Sequence, residues 1–262
     1  MKFFCAAFVA FVLWIAPMSL AIALETSTNP VAIETLNKAQ IIYLGEIHDH
    51  PADHEQEFEI LTNLYRENQT LALGFEMFQR PFQPYLDQYI AGGITETELR
   101  KLSEYDSRWG FEWEYYAPLL RFAQAHHLPL IALNTPAEIT NKVAVNGLDS
   151  LEQQDYRYIP ARENLDFTNE IYLEQIKESF REHAENNYGK SQVLDNFVAA
   201  QILWDETMAE AIATYASQYP ATQILVFVGQ AHVAENFAIP DRVTRRSPSF
   251  LTQQVIKLSP QN

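Results

Sequence analysis

Four short runs of consecutive apolar residues, each stopped by a glycine or a polar residue, decide what this chain can fold into. They are Ile41-Ile42-Tyr43-Leu44 in the segment that opens at Gln40, Leu71-Ala72-Leu73-Gly74-Phe75, Leu130-Ile131-Ala132-Leu133 and Ile224-Leu225-Val226-Phe227-Val228. A strand with one face in water alternates apolar and polar residues, whereas a strand covered on both faces is apolar throughout. Between the runs the apolar spacing is helical, with Phe58, Leu61 and Leu64 in one segment and Leu119, Leu120 and Phe122 in another. Two longer helical segments, roughly 164–185 and 191–217, precede the fourth run. The pattern predicts an α/β fold: a mainly parallel sheet flanked by helices, with an α-rich insertion before the last core strand. Residues 250–258 are expected to close the sheet as an edge strand.

The amino terminus reads differently. Lys2 is followed by an unbroken apolar run from Phe3 to Ala16 and then by Ala21-Ile22-Ala23, a small-x-small cleavage pattern. The run is shorter than the ~20 helical residues that span a bilayer. Residues 1–23 are therefore expected to be a secretory signal and 24–31 a short tether, with 32–262 forming a single α/β domain. No transmembrane domain is expected after cleavage. The one cysteine, Cys5, falls within the signal, so the mature chain would hold no disulfide and no thiolate ligand. Export to the periplasm or cell envelope follows as the expected localisation. Eighteen basic residues stand against 34 acidic ones, a net charge of -16, and no basic run exists to neutralise phosphates. Nucleic acid is excluded as a partner.

Chemistry-bearing residues cluster at the ends of the apolar runs. The first is followed by Gly45-Glu46-Ile47-His48-Asp49-His50-Pro51-Ala52-Asp53-His54, which holds three of the chain's seven histidines. The second is followed by Glu76, and the fourth by Gly229-Gln230-Ala231-His232. Ligands of an open α/β sheet bind beyond the carboxyl ends of its strands, so these groups should converge there. Imidazoles with carboxylates bind divalent metals and also serve as general bases that activate water. Gly45, Gly74 and Gly229 would let a ligand or neighbouring backbone approach closely. Some of these residues also suit plain structural roles: Asp49 resembles a helix cap ahead of Pro51, and His126-His127 suits a helix end. The motifs of serine hydrolases, P-loop NTPases, dinucleotide enzymes and zincins are absent.

Aromatic residues crowd Tyr105, Trp109, Phe111, Trp113, Tyr115 and Tyr116. Core or crevice wall is the default role of such a stretch. Its functional counterpart is a flat apolar ligand such as haem, whose iron accepts His or Tyr and whose propionates pair with cations. Arg80, Arg108 and Arg121 are the candidates for that pairing.

At these residues the sequence resembles the ChaN-like haem-binding proteins, related to the Tiki and erythromycin-esterase-like group. The matching blocks run in order: Gly45-Glu46-Ile47-His48-Asp49, Phe75-Glu76-Met77-Phe78-Gln79-Arg80, Tyr116-Ala117-Pro118-Leu119-Leu120 with residues 129–134, the block around Trp204-Asp205, and Gly229-Gln230-Ala231-His232-Val233 with Ile239-Pro240. The resemblance implies an exported α/β domain that binds haem in haem and iron acquisition. It also implies, from the wider group's hydrolases, working residues at Glu46, His48, Glu76 and His232. Lipoprotein members carry a cysteine at the cleavage site, and this chain does not.

Two functions remain open at this level. In the first, the chain binds haem as cofactor or cargo in the crevice at the carboxyl ends of the strands, with His48, His54, His232 or a nearby tyrosine on the iron. In the second, it is a hydrolase in which Glu46, His48, Glu76 and His232 bind a divalent metal or activate water. The Trp204-Asp205 block and the aromatic stretch favour the first. A homodimer is a candidate assembly for either.

Overall fold

The structure is a computed structural model that describes residues 36–185, 191, 193–236, 238–247 and 251–259. The expected signal at 1–23, the tether at 24–31 and Cys5 lie outside the described residues, as does the first residue of the expected edge strand.

Five parallel strands form one sheet in the order β3-β2-β4-β1-β5. They are β1 (Ile41–Glu46), β2 (Leu71–Gln79), β3 (Leu130–Asn134), β4 (Gln223–Gly229) and β5 (Gln253–Lys257). All four apolar runs are strands, and the carboxy-terminal one is the edge, paired to β1 from Ile41↔Gln253 to Gly45↔Lys257. Two strands outrun their apolar stretches: β1 continues through Glu46, and β2 continues through Glu76 to Gln79. Their candidate carboxylates therefore stand on sheet backbone rather than on loops.

Side-chain alternation sends each strand into two cores. Ile42, Leu44, Leu73, Phe75, Leu225 and Phe227 pack on one face, with Leu61 and Leu64 of α1 (Pro51–Glu67) and Leu119 and Leu120 of α5 (Trp113–Ala125). The short helices α2 (Gln83–Ile90), α3 (Glu96–Leu102) and α4 (Tyr105–Arg108) extend this layer. Ile41, Tyr43, Ala72, Ile224, Val226 and Val228 pack on the other face, with Met208 and Ile212 of α8 (Leu194–Gln218) and Val243 of α9 (Ile239–Arg246). Burying each such side chain contributes ~1.5–3 kcal/mol, so continuous apolar strands are what a two-sided sheet requires.

The α-rich segment lies before β4 as expected, and its parts do different work. Helix α8 covers the sheet directly, while α6 (Ala137–Asn146) and α7 (Glu170–Glu185) pack on the outer side of α8 in a third cluster around Ile202 and Leu203. Among the described residues no helix is long and apolar enough to cross a membrane.

Candidate functional site

Glu46 follows Ile42 and Leu44 on the face covered by α1 and α5. Tyr116 of α5 donates its hydroxyl to Glu46 Oε1 at 2.5 Å, and His48 Nδ1 meets the same oxygen at 2.7 Å. A ring hydrogen donated from Nδ1 to a carboxylate leaves the Nε2 lone pair of His48 for other work. Trp109 stands edge-on to the His48 ring at 4.8 Å between centroids, and Phe111 lies at 4.9 Å on another side. Gly229 closes the arrangement: a Cβ there would sit 2.8 Å from His48 Nε2, so only a glycine at the end of β4 admits this ring.

Glu76 belongs to the opposite half of the site. Its Oε2 accepts the Gly229 backbone N–H at 2.7 Å, and its Oε1 lies 3.4 Å from His232 Nε2. His232 sits in the 3-10 turn that follows β4, and its Nδ1 meets Asp205 Oδ1 of α8 at 2.5 Å. The hydroxyl of Tyr172 on α7 donates to the other oxygen of Asp205. The crevice thus holds two imidazoles, each fastened through Nδ1 to a buried carboxylate, with Glu76 beside them.

Electrostatics follow from burial with opposite charges close by. Burial opposes the charge on His232, but Glu76 and Asp205 overcome it and hold the imidazole well above its ordinary pKa. Burial likewise opposes ionisation of Glu76, yet His232, His48 and the Gly229 amide bring its carboxyl down to about 2. His48 is raised for the same reason: the desolvation that lowers it is outweighed by its bond to Glu46 and by the charges of Glu76 and Glu46. Glu46 is lowered, its desolvation being outweighed by the bond from His48 first. Above these groups opens a cavity of about 350 Å³ lined by His48, Asp49, Phe111, Gly229, Gln230 and His232, among others.

A family model described as haem-binding uptake, Tiki superfamily, ChaN matches residues 32–243. The chain belongs to this family. A solved structure titled as cofacial haem binding to ChaN of Campylobacter jejuni is similar at 18% identity, covering 88% of this chain and 86% of that one with a TM-score of 0.69, which shows a shared fold. A mutant erythromycin esterase, EreC, in its open conformation is similar at 12% identity and a TM-score of 0.49, covering 87% of this chain and 72% of that one. No curated protein matches the chain.

In this ChaN-family chain Glu46, His48, Glu76 and His232 stand around one crevice, although they come from three strand ends. His54 belongs behind it. It is 6% exposed, with Nδ1 on Glu57 at 3.0 Å, Nε2 on the His48 carbonyl at 3.0 Å, and its ring stacked on Tyr115. His50 points elsewhere, to Asp53 and Ser259. His50 itself, not Asp49, is the cap position of α1, and Asp53 accepts the Ile47 N–H instead. The three candidate arginines are committed to the chain's own carboxylates: Arg80 to Glu210, Arg108 to Glu104 and Glu138, and Arg121 to Glu96. His126 ends α5 and packs on Tyr65 and Phe122, a structural role.

From the sequence, Asp205 and Glu57 carried no site role and Tyr116 counted only as core or crevice wall. For Asp205 the signal was a carboxylate pair, Asp205-Glu206, set inside a long apolar helix; both are buried. Tyr116 was named as an aromatic wall, and its hydroxyl is the part that matters. Glu57 is three residues past His54 on one helix face, the spacing at which side chains meet.

Proposed function

We propose that this chain is an exported haem-binding protein of haem and iron acquisition, with residues 1–23 as its secretory signal, and that His48 at the crevice supplies the iron ligand. The observation that carries this reading is the setting of His48. A carboxylate holds its Nδ1, its Nε2 lies in a cradle that only Gly229 permits, and two aromatic rings flank it. Haem-ligating imidazoles are oriented in this way by a partner on the second nitrogen, and apolar walls suit a macrocycle. The cavity, about 350 Å³, is at the small end of the ~300–1,000 Å³ of ligand pockets, so a haem would be only partly enclosed by it. Recognition then rests on the axial bond and apolar contact, since Arg80, Arg108 and Arg121 are already paired. The Campylobacter jejuni ChaN is described as binding haem cofacially. Carried to this chain, that makes a homodimer, each copy bringing a haem, the assembly to look for.

The test is a haem titration of the chain followed by its Soret band. A saturable, shifted band is expected in the wild type, weakened at least about ten-fold in His48→Ala with the circular dichroism unchanged. An unshifted band, or equal affinity in the variant, overturns the assignment.

The second reading, a metal-dependent hydrolase, is favoured by one observation: Glu76 lies between two imidazoles whose Nδ1 atoms are held by Glu46 and Asp205. His48 Nε2, His232 Nε2 and Glu76 would hold a divalent metal, which would supply an activated water. Metal-dependent turnover lost in His48→Ala with His232→Ala, haem affinity being intact, would select this reading.

A further inference from the structure

We propose that a second, fully buried site behind the crevice, formed by Glu46, His54 and Glu57, holds one divalent cation. It does not depend on whether His48 carries haem. His54 Nε2 lies 3.0 Å from the His48 carbonyl oxygen, which only accepts, so that nitrogen carries the ring hydrogen. The lone pair of Nδ1 then faces two carboxylates, with Glu57 Oε2 at 3.0 Å and Glu46 Oε2 at 3.7 Å. Glu46 Oε2 and Glu57 Oε1 are buried and receive no hydrogen bond from the rest of the protein, the two carboxyl groups facing each other. One donor atom from each residue falls within 4.8 Å of the others.

Three electron-pair donors therefore converge in a space closed to water, Glu46 being 2% exposed and Glu57 0%. Among the described residues no lysine or arginine forms an ion pair with either carboxylate, and the nearby Asp53 adds negative charge. Two ligand atoms on one ion, each about 2.0–2.2 Å from it, stand roughly 3–3.7 Å apart, as the Nδ1 distances do. One imidazole and two carboxylates are the ligand chemistry of zinc, manganese or non-haem iron. The ion would act as a positioning element: held on Oε2 of Glu46, it fixes the carboxylate whose Oε1 orients His48 and accepts from Tyr116.

The experiment uses the full chain, purified and analysed for metals, then stripped with a chelator and titrated with zinc and with manganese while its melting temperature is followed. About one divalent ion per chain is expected, with Tm falling by several degrees on removal and recovering on re-addition. Glu57→Gln keeps the shape and should lose both the ion and the Tm response, whereas His232→Ala should keep both. If Glu57→Gln does not fold, the titration of stripped wild type against the His232→Ala chain decides the matter. A wild type that takes up no metal and whose Tm ignores zinc and manganese overturns the proposal, because a proton then holds the three groups. An ion retained by Glu57→Gln and lost from His232→Ala also overturns it, placing the metal in the crevice.

Discussion

Replacing Gly229 by alanine tests the site at its tightest point. The new Cβ would stand 2.8 Å from His48 Nε2 and 2.9 Å from its Cε1, well inside ordinary van der Waals contact. The ring has little room to retreat, because Trp109 and Phe111 pack against it at 4.8 and 4.9 Å and Glu46 holds its Nδ1. Overpacking of this kind costs about 1–3 kcal/mol. The backbone of Gly229 is not in the left-handed region, so alanine adopts it freely and stiffens the unfolded chain by ~0.4–1 kcal/mol in the opposite direction. A net loss of about 1–2 kcal/mol is expected in urea unfolding followed by tryptophan fluorescence. Displacing the ring by a few tenths of an ångström should also weaken haem binding by at least about ten-fold, or ~1.4 kcal/mol. The decisive comparison repeats the change in a His48→Ala background. There the nearest atom is Glu76 Oε2 at 3.5 Å, an ordinary contact, and the penalty should shrink to within ~0.5 kcal/mol. The same penalty in both backgrounds would refute the claim that Gly229 is bare to admit His48.

Asp205→Asn should destabilise the fold by about 1.5–3 kcal/mol near pH 6, since it removes a charge-assisted bond to His232. His232 has its pKa raised by folding, so its stabilisation is complete below about 6.5 and fades as the pH rises through the folded value. The gap between wild type and variant in urea midpoints should therefore narrow at alkaline pH, and a gap that widens there contradicts the pairing. Glu76 has the opposite sign: its contribution is complete above about 4.5 and lost as the pH falls toward about 2, which acid unfolding of Glu76→Gln against wild type would show. Glu206→Gln should lower stability by ~3–5 kcal/mol, because Arg242, Arg245 and Arg246 all converge on that buried carboxylate of α8 and tie α9 to it; chemical denaturation checks this. Phe227→Ala, which removes a fully buried ring stacked on Phe75, should lose ~3–5 kcal/mol by the same measurement.

The strands could be read from the sequence because burial on both faces leaves no room for polar interruptions. Where β1 and β2 continue into Glu46 and Glu76, the apolar signal stops although the hydrogen-bonded ladder does not, and the strand ends were read too short. That His48, Glu76 and His232 meet in one crevice was legible because titratable groups at strand ends converge by topology alone. Asp205 was not given a role because its partner His232 is 27 residues away, and nothing along the chain pairs them. Arginine poses the converse difficulty. Residue type made Arg80, Arg108 and Arg121 candidates for an anionic ligand, but Glu210, Glu138 and Glu96 reach them from other helices and only the folded chain shows those pairs; Glu104, four residues before Arg108, is the one local partner.

The order of strands has a consequence for how the protein comes into being. Strand β1 leads the sequence, yet its neighbours on both sides are the last two strands: Ile41 pairs with Ile224 and with Gln253. β2 and β3 can pair early, through Leu73↔Leu130, but β1 has no partner until almost the whole chain has been synthesised. Such late, non-local pairing makes folding slow and leaves an apolar edge open meanwhile. The crevice, which needs Glu46 from β1 and Gly229 from β4, is then among the last features to form, and a nascent chain held open in this way stays available to chaperones.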